Sequence, residues 1–300
     1  MRRQLSRLML ATIGASLVAT GAYAQELTGT LKKIKDTGTI TIGHRESSIP
    51  FSYLNDQQQP VGYSMDLCAR VVDAVKTQLK MPNLKVVYQP VTSANRIPLL
   101  QNGTIDVECG STTNSVERQK QVAFGPTFFV INVSAAVKKD SGIKSFTDLN
   151  GKTVASTSGT TAIPLLRGYE KAKGIDFKEV QAKDHAEAMQ LVATDRAHAF
   201  IMDDILLAGQ IANQQNPGAY VILNESLRTE PYGIMLRKDD PQFKALVDKA
   251  VGDVYKSGDI NKIYSKWFTS PIPPRNINLK FEQTPAIKEA FSNPNDKGVQ

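Results

Sequence analysis

Short apolar alternations and helical apolar stripes succeed one another along this chain, with polar turns between them. Residues 39–43 alternate with the period of a strand. Met65, Cys68, Val71, Val72, Val75 and Leu79 then recur at helical spacing, with Ser64 as the candidate cap. Residues 84–88 predict a second strand and 104–109 a third, a βαβ series that implies a parallel sheet with helices on both faces. After the apolar run 128–131 the chain passes into 134–138 and the alternation restarts. Strands are predicted at 152–156, 177–180, 197–202 and 220–223, with helices near 162–173, 184–193 and 204–214, so a second α/β unit lies there. Residues 232–237 predict one more strand, Asp240-Pro241 opens an amphipathic helix through Tyr255, and a Trp-bearing helix follows near 259–268. From Pro271 onward turn-forming residues and prolines break the periodicity, and this tail is predicted to lie along a domain surface.

One stretch, 93–118, concentrates the polar chemistry. Asn95 is placed to cap a short helix, Pro98 falls in its first turn where no amide donor is needed, and Asn102-Gly103 supplies a left-handed stop. Arg96 therefore lies at that helix's start. The strand at 104–109 ends abruptly at Gly110, and Ser111, Thr112, Thr113 and Asn114 then offer hydroxyls and an amide from a loop. Ser115 is suited to cap a further turn that carries Arg118. Two arginines and several hydroxyls thus converge on the ends of strands and helices, where open α/β sheets bind small ligands. A lone arginine at such a place would be a solvated surface charge.

Residues 1–24 combine Arg2, Arg3 and Arg7, an apolar run too short to span a bilayer, and Ala22-Tyr23-Ala24, the pattern of a secretory signal cleaved after Ala24. No cysteine lies near that point, so a soluble exported protein without a lipid anchor is expected. The formal charge of +7 falls to +4 once the three leader arginines are removed, too small and scattered a surplus to argue for nucleic acid. The remaining length suits one or two domains. Cys68 and Cys109 are the two cysteines. In an oxidising compartment they invite a disulfide, and two small buried hydrophobes are the equally open alternative. Zinc-ligand clusters, a phosphate-cradling Gly-Lys-Ser loop and a Ser-His-Asp pattern are all lacking, and no cofactor is expected.

Several segments together carry a more specific signal: Gly43-His-Arg-Glu-Ser-Ser-Ile-Pro-Phe-Ser-Tyr53, Gly62-Tyr-Ser, the 93–118 stretch, Thr157-Ser-Gly-Thr-Thr161, Ala182-Lys-Asp-His185, Ala199-Phe-Ile-Met-Asp-Asp204 and Leu236-Arg-Lys-Asp-Asp-Pro-Gln-Phe243. Through them the chain resembles, over nearly all of its length past residue 24, the polar amino-acid binding proteins of bacterial ABC importers, and within them the glutamate/aspartate branch. The resemblance implies a periplasmic binding protein type II fold, in which two α/β lobes of mostly parallel sheet are joined by two crossing strands that act as a hinge. It puts 26–131 and 231–300 in a discontinuous first lobe and 132–230 in an inserted second lobe. It also implies a periplasmic monomer that captures L-glutamate or L-aspartate for a membrane permease and its ATPase. In members of this branch a cysteine often stands in the strand written Tyr232-Gly-Ile234 here, so no disulfide pairing carries over.

An α-amino acid needs a guanidinium fork for its carboxylate and a carboxylate for its ammonium. By resemblance Arg118 clamps the α-carboxylate with help from Thr113 and Thr161, Asp203 takes the ammonium, and Ser111 adds a carbonyl or hydroxyl. Arg45, Ser93, Arg96 and His185 receive the distal carboxylate. Singly, His185 reads as an ordinary helix-start residue and Arg45 beside Glu46 as a surface pair. As a set, three arginines against one aspartate give formal charge +2, a better complement to a dicarboxylic amino acid of charge −1 than to a neutral one. Glutamine or another polar amino acid is the alternative ligand. A dehydratase of the same fold would need a general acid, and its candidates His185 and Asp203 are committed to charge pairing. A sensory ectodomain would need a membrane helix, and no run of about 20 apolar residues occurs past residue 24.

Overall fold

The computed structural model describes residues 26–300; the leader reading for 1–24 lies outside the described residues. Two sheets dominate. In the first, the strands Lys85–Pro90, Thr39–His44, Val107–Cys109, Met235–Arg237 and Val122–Phe124 lie side by side in that order. Thr39–His44 runs parallel to both neighbours, whereas Met235–Arg237 is antiparallel to its own. The second orders Lys178–Ala182, Thr153–Thr157, Ala199–Asp203, Phe129–Lys138 and Tyr220–Ile222, parallel over its first three strands and antiparallel after them. Each lobe is therefore a mostly parallel sheet with an antiparallel strand returned from elsewhere in the chain, the two-lobed type II arrangement.

Phe129–Lys138 leaves the first lobe and Arg228–Tyr232 returns to it, and the two pair antiparallel from Phe129↔Tyr232 to Val133↔Arg228. An aromatic cluster fixes their first-lobe ends. Phe51 meets Phe129 edge-to-face at 4.9 Å and Tyr232 at 5.2 Å, and Phe268 stacks on Phe129 at 4.8 Å. Burying each such ring contributes about 1.5–3 kcal/mol, and edge-to-face pairing adds to that. Tyr63 spends its hydroxyl on the Phe128 carbonyl at 3.1 Å, so the buried phenol is satisfied while it holds the start of the crossing strand.

The long helices follow the apolar pattern. Tyr63–Leu79 buries Leu67, Cys68, Val71, Val72, Val75 and Leu79, and Pro241–Lys256 is capped by Asp240, which accepts from the Phe243 amide at 3.3 Å. Ser64 is not the cap of the first. That place belongs to Gly62 at φ +140, where an added Cβ would lie 2.1 Å from the Phe51 carbonyl oxygen, and Ser64 instead donates its hydroxyl to Phe51 O and Cys109 O. Cys68 and Cys109 are joined by a disulfide that ties this helix to the end of the central strand.

Three other expectations are refined. The strand expected over 104–109 is confined to Val107–Cys109, because Ile105 and Asp106 turn to anchor other elements: the Asp106 carboxylate takes the Thr41 amide and the Lys33 ammonium. The strand expected over 232–237 is two pieces, Arg228–Tyr232 in the second sheet and Met235–Arg237 in the first. The tail contains a helix, Pro285–Ser292, whose Thr284 cap and Pro285 in the first turn are its local signals. A helix at Gly29–Thr37, not anticipated from the pattern, buries Leu31 and Ile34. Among the described residues no helix is long and apolar enough to cross a membrane.

Candidate functional site

The C-terminal ends of strands from both sheets face each other across a tightly closed cleft, with a cavity of only about 10 Å³ between them. Ser93, Arg96, Ser111, Thr113 and Arg118 reach it from the first lobe, and Thr161, His185 and Asp203 from the second. Arg45 does not line it. Its backbone amide is held by Ser52 Oγ at 2.9 Å just past the strand Thr39–His44, and its side chain is 1% exposed behind the cleft wall. Thr160, Met202 and Leu206 complete the lining and were not singled out from the sequence.

Local sequence explains each placement. Asn95 sits at the N-cap of Arg96–Gln101, yet its side-chain oxygen takes the Thr92 amide at 2.8 Å while its own amide bonds Thr92 Oγ1. That reciprocal turn aims Arg96 inward, where it is 2% exposed and donates to the Ser111 carbonyl at 3.3 Å. Ser115 caps the short helix Val116–Gln119 by accepting from the Arg118 amide, as expected. The Arg118 guanidinium spans the cleft, donating to Thr113 O at 2.9 Å and to Gly159 O in the opposite lobe at 3.0 Å. Asp184 caps His185–Ala193 by accepting from the Glu187 amide at 3.0 Å, which places His185 in the first helical turn. His185 is 1% exposed, with Nδ1 2.9 Å from Thr157 Oγ1.

Asp203 ends the buried strand Ala199–Asp203 at the N-cap position of the next helix, but makes no capping bond among the described residues. Asp204, the first residue of that helix, accepts from the adjacent Ile205 amide at 2.8 Å. The Asp203 carboxylate is left for the cleft, where the Tyr232 hydroxyl donates to it. Two buried carboxylates were missed from sequence. Glu230, on the returning hinge strand, accepts from both Thr113 Oγ1 and Thr161 Oγ1 at 2.7 Å while Arg228 pairs its other oxygen. Glu108 lies 3.8 Å from Arg96 Nη1 and accepts from Thr112 Oγ1 at 2.7 Å. A charged residue between Val107 and Cys109 was the available signal for Glu108, whereas the strand Arg228–Tyr232 is polar throughout its first half and offered none for Glu230.

The electrostatics follow from burial. Dehydration, then repulsion from Arg96, pulls Arg45 down to about 10, still cationic at neutral pH. Dehydration, then Arg45 and Arg96, pushes His185 well below its ordinary value, so its imidazole is neutral. Dehydration, then Glu230, raises Asp203 to about 8. With Glu108 included, and Glu230 cancelled by Arg228, three arginines leave +1 when Asp203 is ionised opposite a cation and +2 when it holds its proton. Arg45 Nη1, Ser93 Oγ, Arg96 Nε, Ser111 Oγ and His185 Nε2 are all buried without a hydrogen-bond partner among the described residues. Leaving such groups unpaired costs about 1–3 kcal/mol each, and the four that line the cleft, with Arg45 Nη1 behind it, mark a surface built to be completed by something polar.

Two lobes that close a polar cleft over a pair of crossing strands define a binding protein for a small charged or zwitterionic solute. The family model for bacterial extracellular solute-binding proteins, family 3, matches residues 40–270, and the chain belongs to that family. It is 49% identical over 294 residues to an L-glutamate/L-aspartate-binding protein of Pseudomonas aeruginosa, covering 98% of this chain and 97% of that one. It is 46% identical over 299 residues to a glutamate/aspartate import solute-binding protein of Escherichia coli K12, covering 100% and 99%. Among solved structures it is similar to an ancestral amino acid-binding protein described as a precursor of cyclohexadienyl dehydratase, at 30% identity and TM-score 0.69, covering 80% of this chain and 99% of that one.

Proposed function

We propose that this chain is the solute-binding component of an ABC importer and captures L-glutamate and L-aspartate between its lobes. The observation that carries the reading is the set of unpaired buried donors of Ser93, Arg96, Ser111 and His185, lining one cleft with the Asp203 carboxylate and backed by Arg45. A ligand with a carboxylate at each end and one ammonium supplies acceptors for the first set and a cation for the second. The names carried by relatives at 49% and 46% identity support the same ligand pair.

In this reading Arg118 clamps the α-carboxylate, flanked by Thr113 and Thr161, and Asp203 takes the ammonium. Arg96, Ser93 and neutral His185 meet the distal carboxylate, and Ser111 completes the wall. Arg45 contributes from behind, as a long-range positive charge and through Nη1. The hinge strands straddle the boundaries expected at 131/132 and 230/231, which supports a first lobe of 26–131 with 231–300 and an inserted lobe of 132–230. Binding rather than turnover is the proposed role, since His185 is held neutral against Thr157 and Asp203 is engaged by Tyr232. The implied partners are a permease and its ATPase, with the protein working in the periplasm.

Glutamate and aspartate differ by one methylene, which in most pockets is worth about 1–3 kcal/mol. Both are expected to bind, with dissociation constants within roughly two orders of magnitude of each other. Titration calorimetry in which one binds and the other is undetectable contradicts the assignment of a shared site.

A further inference from the structure

Glu108 is fully buried on the strand Val107–Cys109, directly before the disulfide cysteine. Oε2 is satisfied by Thr112, whereas Oε1 has no donor at hydrogen-bond distance among the described residues. The nearest guanidinium nitrogen is Arg96 Nη1 at 3.8 Å, an ion pair without a hydrogen bond. Gly110 makes room for this carboxylate: an added Cβ would lie 2.1 Å from Oε1 and 3.0 Å from Arg45 Cγ. The strand, the glycine and the disulfide thus hold a fixed negative charge beside Arg45 and Arg96, in a place where an apolar side chain would be the ordinary occupant.

Resting on the reading of the cleft given above, we propose that Glu108 is a specificity-determining residue: its negative charge beside Arg45 and Arg96 favours a dicarboxylic ligand that carries an ammonium over one that lacks it. Glutamate and glutarate present the same two carboxylates and differ only at the amine. Their affinity ratio therefore reads the charge around the site with the distal contacts held constant. Glu108 attracts the ammonium and repels the extra net charge of glutarate. Removing a unit charge several Å away, in surroundings of effective dielectric about 20, changes such a ratio by about tenfold or more.

The test is calorimetry of glutamate, glutarate and glutamine on the wild-type chain and on Glu108→Gln and Glu108→Asp. The amide of Glu108→Gln keeps an acceptor for Thr112, and the expected result is a shift of about tenfold in the glutamate-to-glutarate ratio toward glutarate, with glutamine changed less than about threefold. Glu108→Asp keeps the charge and is expected to keep the wild-type ratio. Arg45→Gln, which removes a neighbouring positive charge, is expected to move the ratio the opposite way, and a ratio unchanged there overturns the electrostatic basis of the proposal even if Glu108→Gln fails to fold. Ratios that stay fixed while all three ligands weaken together mean that Glu108 is structural only, and the proposal falls. Failure of the wild-type chain to bind glutamate takes down the reading of the cleft as well, a different and distinguishable result.

Discussion

Asp203 shows how one side chain serves two states of the cleft. Without a cation beside it, burial and the Glu230 charge raise its pKa to about 8, so near neutral pH the closed, ligand-free form holds a proton that the unfolded chain, with an ordinary carboxylate pKa near 3.8, has released. A raised folded-state value makes Asp203's contribution to stability fully present below the unfolded value and lost as pH rises through about 8. The ligand's ammonium would replace that proton with a fixed charge. The melting temperature of the ligand-free protein is therefore expected to fall between about pH 4 and pH 8 and to level off above that, and Asp203→Asn to flatten that slope. Scanning calorimetry across this range, with and without saturating glutamate, checks it, and an unchanged slope in Asp203→Asn would assign the dependence to another group. That Arg96 and Arg118 would stand at element ends, where both line the cleft, was legible in the sequence, and Asp203 was reached through the resemblance. Glu108 and Glu230 were not legible, because their meaning depends on the partners that the fold brings beside them.

At the scale of elements, the hinge strand Arg228–Tyr232 carries more than a connection. Glu230 on that strand receives one threonine hydroxyl from each lobe, Thr113 and Thr161, an arrangement that exists only when the lobes are together. Hydrogen bonds to a charged group contribute about 1.5–3 kcal/mol. Glu230→Gln is expected to weaken glutamate and glutamine by the same factor, about tenfold, because it loosens closure without touching the distal carboxylate. A calorimetric comparison in which only one ligand weakens would place Glu230 in the discriminating contacts instead. The alternation of strand and helix was readable because both lobes repeat the same apolar periods. Residues 232–237 read as one strand since their apolar run is continuous, yet Tyr232 belongs to the second sheet and Met235 to the first. Only tertiary pairing breaks that run. Gly29–Thr37 escaped notice because two buried apolar residues in nine make too faint a stripe.

Over the whole molecule, closure brings backbone against backbone at glycines. Gly159 stands at φ +79, where an added Cβ would lie 2.6 Å from Ala94 Cα, and at Gly209 one would lie 2.4 Å from the Ile49 carbonyl oxygen. Gln210 donates across the same seam to Ser47 O at 2.6 Å. Gly209 is helical, so alanine is favourable for its own helix and unfavourable only for the approach of the lobes. Small-angle scattering is expected to record contraction of the wild-type protein on saturation with glutamate, and a smaller contraction with weaker affinity for Gly209→Ala. Equal contraction in both would mean that this seam does not limit closure. The resemblance carried the two-lobed plan, but which glycines permit the lobes to meet is visible only in three dimensions.

The central claim is that the cleft recognises a second carboxylate, and glutamate against glutamine tests it most directly. In a closed, water-poor site glutamine would leave guanidinium charge facing a neutral amide, and losing one partner of a buried pair costs on the order of 3–5 kcal/mol. Titration calorimetry of the wild-type protein is expected to find glutamine weaker than glutamate by roughly a hundred- to several-thousand-fold. Arg96→Ala is expected to erase most of that gap, and Arg118→Ala to weaken both ligands alike. Wild-type protein that takes glutamine as tightly as glutamate would contradict the roles given to Arg45, Arg96 and His185.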